Sequence, residues 1–328
     1  MTTRLIPWTS LASRQNRRWM RLSWHMLATA LMTTLPMLVV SLVLVRQAAV
    51  GAQERAVAML HARAVRVVQD SSRAIERAEQ VLDFLSARVE LKELDSAACH
   101  RLVEGVGSID RLWANVGVVD ADGRILCASR MPPDPRSVSL AGRPWFREVM
   151  ASDQVVISAP NDGAIVGRPV LHVARALQDV QGRRVVAMLV SMDLMELSRR
   201  IDGAELPVGS AILLTDARDR IVARFPDPSI WIGVDARPSV TTFLARHPQG
   251  TGEATGLDNV SRLYAQAAGE SPGWKAWVGV PVDIVRAPGR AALEVALAGI
   301  LASLALGILL AATLAWRNSR PRGATASG

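Results

Sequence analysis

Asp120-Ala-Asp-Gly-Arg-Ile125 lies between two short apolar runs, residues 113–120 and 124–129. An Asp-Gly turn between such runs predicts a β-hairpin. The pattern returns as Asp216-Ala-Arg-Asp-Arg-Ile221, and Val190-Ser-Met-Asp-Leu194 has a weaker counterpart in Val280-Pro-Val-Asp-Ile284. Paired echoes of this kind predict two structurally similar modules of about 90 residues each. Each module reads as a small antiparallel sheet flanked by helices, an α+β arrangement. Residues 143–150 and 195–200 are helix candidates in the first module, and 240–246 in the second. Asp120 and Asp122 also resemble the start of a calcium loop, but the remaining ligands and the closing glutamate are missing, so the turn reading stands.

Working outward, residues 46–94 contain no proline and only Gly51, and read as one long helix. Val68, Ile75, Leu82 and Val89 recur every seven residues, with Ala64, Ser71, Ala78 and Leu85 at the offset positions. This is a three-heptad apolar seam. A helix of that length can carry a displacement from an outer domain to a membrane; alternatively, its stripe packs on its own domain.

Farther out, residues 22–45 and 295–316 are each free of charge apart from His25. Both runs exceed the ~20 residues that cross a bilayer as a helix. Trp24 and Trp316 stand at their basic ends, and Pro36 is of a kind tolerated in membrane helices. Arg4, Arg14, Arg17, Arg18 and Arg21 precede the first run, Arg317, Arg320 and Arg322 follow the second, and neither flank holds an acid. These flanks account for the whole net charge of +8, so the body between them is neutral. A nucleic-acid groove needs its basicity on the folded body, and that class is excluded. The positive-inside bias predicts a two-pass membrane protein, with both termini cytoplasmic and residues 46–294 outside the cytoplasm. The rival is a cleaved signal peptide, but the first run outlasts the ~7–15 residues of such a region and Arg46 interrupts the approach to a cleavage site. Gly299, Ser303, Gly307 and Ala311 form a stripe of small residues on the second run, a packing face for another membrane helix.

The expected layout is a basic terminus (1–21), a span (22–45), a helical stalk (46–110), a membrane-distal module (111–205), a membrane-proximal module (206–290), a second span (291–316) and a tail (317–328). Cys99 and Cys127 are the only cysteines and both fall in the exported region. An oxidising compartment allows them to pair, the alternative being two buried thiols. His25, His61, His100, His172 and His247 show no metal-ligand spacing. Gly250, Gly252 and Gly256 lack the Lys-Ser/Thr ending of a phosphate loop. No nucleophile elbow or zinc-protease helix occurs. Neither catalysis, nor a metal, nor a cofactor is expected.

The order of span, long helix, two sheet modules and span resembles the double Cache (tandem PAS-like) extracytoplasmic sensors of bacterial receptors, sensor kinases and diguanylate cyclases. Carrying the resemblance are residues 120–127, Gly142-Arg-Pro-Trp-Phe-Arg147, Gly167-Arg-Pro-Val-Leu171 and 190–194 in the first module. In the second they are Leu214-Thr-Asp216, Ala223-Arg-Phe-Pro-Asp227, Ile232-Gly233, Arg262-Leu-Tyr264 and 274–282. The resemblance implies that the distal module holds a ligand pocket lined by an Arg-x-Trp-aromatic motif, here Arg143, Trp145 and Phe146. An amino-acid-binding branch has tyrosines where this chain has Val138 and Phe146, and an aspartate where it has Asp193. The missing hydroxyls argue against that branch, although Asp193 can hold an ammonium group. Arg143 offers a planar fork suited to a carboxylate or phosphate, and Trp145 and Phe146 an aromatic wall. Arg168 and His172 are further candidates.

Members of the family continue past the second span into an output domain, whereas twelve residues follow Trp316 here. The expected function is therefore a dimeric, non-enzymatic sensor of a small molecule that signals to a separate output protein. The alternatives are the sensor half of a cyclase or kinase, and a docking subunit without a ligand.

Overall fold

The computed structural model describes residues 9–87, 96–178, 184–203 and 205–319. These form two compact units, one spanning Ala56–Ile284 and one made of the two chain ends.

Helix α1 (Thr9–Ser86), whose first part belongs to the chain-end unit, runs unbroken through Pro36, so the expected first span continues into the long helix expected after it. The expected end of that long helix, residues 88–94, lies outside the described residues. Helix α7 (Val282–Ser319) is the last described element. Apolar side chains stand outward on both, among them Leu31 (65% exposed), Met32 (82%), Val295 (74%) and Leu301 (67%). Both helices are long and apolar enough to cross a membrane. Water is a poor solvent for such faces and hydrocarbon a good one. The small residues of α7 meet α1 of the same chain. A Cβ on Gly299 would lie 2.9 Å from Met37 Cε, and one on Gly289 3.2 Å from Ala49 Cβ. The stripe expected to receive another protein is thus used, at Gly299, by the chain's own first helix.

In the Ala56–Ile284 unit, the first module contains α2 (Ser96–Gly107), β1 (Trp113–Asp120), β2 (Ile125–Ala128), α3 (Pro144–Ala151), β3 (Val156–Ile157) and β4 (Asn161–Asp162). It ends with β5 (Pro169–Gln178), β6 (Arg184–Asp193) and α4 (Leu194–Arg200). The second contains β7 (Ala211–Thr215), β8 (Ile221–Phe225), α5 (Pro228–Trp231), α6 (Arg237–Arg246), β9 (Thr251–Thr255), β10 (Ser261–Ala268) and β11 (Lys275–Pro281). The sheets run β2-β1-β6-β5-β3, with β4 also on β5, and β8-β7-β11-β10-β9. Every strand pairing is antiparallel, and the spatial order is the same in both modules.

The repeated aspartate turn explains how that order is built twice. Asp120 Oδ1 accepts from the backbone N–H of Asp122 (3.0 Å) and Arg124 (2.8 Å). Asp216 Oδ1 accepts from Arg218 (2.8 Å) and Arg220 (2.9 Å) in the same way. A carboxylate that caps its own turn fixes a hairpin locally, before any distant contact forms. The third residue after each aspartate is left-handed, Gly123 at φ +79° and Asp219 at φ +62°. Glycine and aspartate are among the residues that adopt this conformation at low cost. Both hairpins then carry a bulge at the same place, after Val118 and after Leu214.

The heptad seam is spent inside the chain. Ala64, Val68, Ser71, Ile75, Ala78, Leu82 and Leu85 are all at most 4% exposed in this single chain. One flank of α1 meets the second module: Ser72 Oγ donates to the Ser271 carbonyl at 3.0 Å, and His61 Nδ1 lies 3.2 Å from that of Gln266. Farther along, Asp83 pairs with Arg175 of β5. Of the two readings of the seam, packing on its own domain holds for these positions, because apolar stripes bury against the nearest sheet available. A disulfide joins Cys99 of α2 to Cys127 of β2, with Cα atoms 6.0 Å apart.

Candidate ligand-binding site in the first module

Leu140 donates its backbone N–H to Gly123, and Arg143 to Leu140, which carries the chain from the aspartate turn into α3. Pro144 occupies the first helical turn, where a missing N–H costs nothing, and Arg143 is the residue just before it. Its side chain, half-buried, comes to the edge of a small hollow that opens to solvent. Trp145, His172, Ser191, Asn161 and Asp162 line the same hollow. The sheet side is opened by Gly117, and the loop after β4 (residues 163–166) forms the rim.

Trp145 and His172 lie against each other, ring centroids 4.4 Å apart and tilted by 39°. His172 Nδ1 shares a hydrogen bond of 2.9 Å with Ser191 Oγ on the neighbouring strand β6. Burial, reinforced by the positive charge of Arg143, pushes the His172 pKa down to about 3. The imidazole is therefore neutral at physiological pH, and Arg143 is the cation of the site. Asn161 completes it. Its Nδ2 donates to the Ala159 carbonyl at 3.0 Å, yet its Oδ1 is buried without a hydrogen-bond partner. A buried acceptor left unpaired costs about 1–3 kcal/mol, and a ligand donor would remove that cost.

Of the six residues singled out in the sequence, the structure brings Arg143, Trp145 and His172 together at this hollow. Phe146 is not among its lining residues. It is 3% exposed within a core that includes Val149, Val156 and Leu189, because neighbouring residues on a helix point about 100° apart. Asp193 and Arg168 likewise stand outside the lining. Asp193 caps α4, accepting from the N–H of Met195 at 2.9 Å and of Glu196 at 3.1 Å, while Arg168 Nε approaches its other oxygen at 3.1 Å. That carboxylate, 2% exposed, is engaged by the protein itself. Asn161 was missed in the sequence. The only local signal was Pro160-Asn-Asp-Gly163, a turn cluster just ahead of a strand.

The second module is built differently inside. Arg262 and Arg224, with side chains 2% and 5% exposed, share the carboxylate of Asp258. Arg262 binds it in a fork at 2.7 and 2.9 Å, and Arg224 Nη2 donates at 2.8 Å. Burial pushes the Asp258 pKa up, but the Arg262 hydrogen bonds and the two positive charges outweigh it, and the group is held below the usual carboxylate range. Arg224 also stacks on Trp231, its Cζ 4.2 Å from the ring centroid. Among the described residues no group of three or more His, Cys, Asp or Glu side chains is arranged to hold a metal.

Sequence comparison finds no matching family model and no matching curated protein. Comparison of folds does find relatives. The extracellular domain of the histidine kinase rpHK1S-Z16 superposes with a TM-score of 0.63 at 18% identity, over 71% of this chain and 97% of that one. The ligand-binding domain of the Pseudomonas fluorescens chemoreceptor CtaA, solved with L-serine, gives 0.52 at 18% identity, over 70% and 97%. That of the Pseudomonas aeruginosa PAO1 chemoreceptor PctB, solved with L-Gln, gives 0.51 at 14% identity, over 70% and 92%. With its long first helix and its two sheets of one order, the chain has the tandem, Cache-like fold of the extracellular ligand-binding domains of histidine kinases and chemoreceptors.

Proposed function

We propose that this protein is a membrane-anchored extracytoplasmic sensor whose first module binds a small molecule. Arginine-rich ends outside two apolar helices support a two-pass arrangement with both termini in the cytoplasm and the two modules outside it. The observation that carries the reading is the pairing, in one hollow, of a half-buried guanidinium with a buried, unpartnered amide oxygen, Arg143 and Asn161 Oδ1. Such a pair selects a ligand that carries an anionic group at one end and a hydrogen-bond donor at the other. Small amino, amido or hydroxy carboxylates meet that description, and Trp145 supplies a face for their apolar part. The chemoreceptor domains of this fold that were solved with L-serine and L-Gln support the class.

Binding closes the loop after β4 over the hollow, and the differential affinity for the closed state is what shifts the equilibrium. The signal leaves through α1 and α7 in a homodimer and reaches an output module on the cytoplasmic side. The test is a thermal-shift screen of the full chain in detergent against amino acids, hydroxy acids, dicarboxylates, purines and polyamines. A ligand of the native state alone adds about 2.7 kcal/mol at a hundredfold excess over Kd. A small carboxylate with a donor is expected to raise the midpoint, and Arg143→Ala and Asn161→Ala to abolish the rise. No shift from a folded sample across the panel would overturn the sensor reading in favour of a docking subunit.

A further inference from the structure

The second module has its own hollow, open to solvent, between α6 and the open face of its sheet. Its wall is aromatic. Phe243 stands edge-on to Trp277 at 5.5 Å and to Tyr264 at 6.3 Å, and Leu213 and Val240 line the hollow with them. Rings at these separations and angles are already in favourable contact, so the box is preformed.

Two donors belong to this box. Trp277 is 4% exposed, and its indole Nε1 is buried without a hydrogen-bond partner. A buried indole N–H almost always finds an acceptor, so its lack of one here calls for an explanation. The Tyr264 hydroxyl receives Arg262 Nη1 at 3.3 Å, which leaves its own proton free to donate. Burial pushes the Tyr264 pKa up, so that proton is retained. Behind Tyr264 lies the Arg224–Asp258–Arg262 cluster, in which two guanidiniums share one carboxylate. The charge of Asp227 also reaches Arg224, as the weakest of those acting on it. Gly256 keeps the way to this cluster clear. A Cβ there would lie 2.5 Å from Tyr264 Oη and 2.9 Å from Arg262 Nη1.

We propose that the hollow bounded by Phe243, Tyr264 and Trp277 is a second binding site, distinct from that of the first module, for a small aromatic carboxylate. The aromatic ring packs against the joined rings of Phe243 and Trp277 from the side of the hollow. The carboxylate accepts from the Trp277 N–H and the Tyr264 O–H, and Arg262 and Arg224 favour its charge. Trp277 lies on β11, which runs directly into α7 at Val282, so occupancy bears on the strand that continues into the second apolar helix.

The test is isothermal titration of the full chain in detergent with phenylacetate, with benzylamine as the cationic counterpart. Phenylacetate is expected to bind with a Kd below about 1 mM, and benzylamine not at all. Trp277→Phe, which keeps a ring and deletes the N–H, is expected to weaken binding about tenfold. Ser239→Trp, at the exposed rim of the hollow, blocks it without disturbing the core and should abolish binding even if Trp277→Phe folds poorly. Arg143→Ala should leave phenylacetate binding unchanged. Absence of saturable binding overturns the proposal, as does binding that survives Ser239→Trp but is lost in Arg143→Ala, which would assign phenylacetate to the first module.

Discussion

The two modules share strand order, turn and bulge, yet at equivalent places they hold opposite chemistry. His172 faces Ser191 across β5 and β6, and Arg262 faces Pro281 across β10 and β11. Their partners Ser191 and Pro281 each stand two residues before an aspartate at or just past the end of a central strand, Asp193 and Asp283, so these are the same position. In the first module it holds an imidazole kept neutral by burial; in the second it holds a permanent cation neutralised by Asp258. Likewise Gly117, three residues before the first turn aspartate, opens the sheet face where Leu213, three before the second, fills it. A backbone set by local turns can be duplicated while the interior polar groups diverge, because turns depend on neighbours in sequence and pockets on residues from several strands.

The sharpest way to break this contrast is to remove a carboxylate from each module. Asp258→Ala leaves two buried guanidiniums without their counter-charge and should cost about 3–5 kcal/mol in the urea midpoint of the second module. Asp162→Ala, at the exposed rim of the first hollow, should change stability by no more than about 0.5 kcal/mol. Equal small effects would mean that the cluster is not a structural element.

Next in size is the disulfide, which only the first module has. Its 28-residue separation places the loss on replacing both Cys99 and Cys127 by alanine at about 3–4 kcal/mol. Reductant should destabilise the wild type to the same degree and leave the double variant unmoved.

Acid should then separate the modules by slope. The folded pKa of His172 lies near 3, below the ordinary value of 6.5, so the unfolded chain binds the proton first as pH falls. Its stabilising contribution is complete above pH 6.5 and is lost on acidification, by up to about 1.4 kcal/mol per unit between pH 6.5 and 3. His172→Gln should flatten the pH 7-to-5 dependence of the first module. Arg262, at the matching place, does not titrate there, and the second module should show no such slope until the pH falls to the ordinary carboxylate range near 3.8, where the unfolded chain takes up the Asp258 proton before the folded one does.

The smallest stability effect is expected at the site itself. Arg143 is half-buried and makes no side-chain cap on α3, so Arg143→Ala should shift the midpoint by no more than about 0.5 kcal/mol while abolishing ligand-induced stabilisation. A large loss of stability would reassign Arg143 to a structural role.

Read from its residues alone, the chain declares whatever depends on near neighbours. Asp120 and Asp216 cap their turns within four residues, the runs at 22–45 and 295–316 are apolar by themselves, and α3, α4 and α6 begin within three residues of where their patterns predict. The fold was legible because it is those turns and strands repeated. Tertiary structure alone decided what the polar residues do. Asn161 and Trp277 are defined by hydrogen bonds they do not make, which no sequence pattern records. Arg224, Asp258 and Arg262 come together from a strand, a turn and another strand, and Asp193, read as a ligand for an ammonium group, is taken by the helix that follows it and by Arg168. The heptad seam was visible as a stripe, but its partner was settled only when a sheet of the same chain lay close enough to bury it. A hydrophobic period states that a face must be covered, and only three-dimensional proximity states by what.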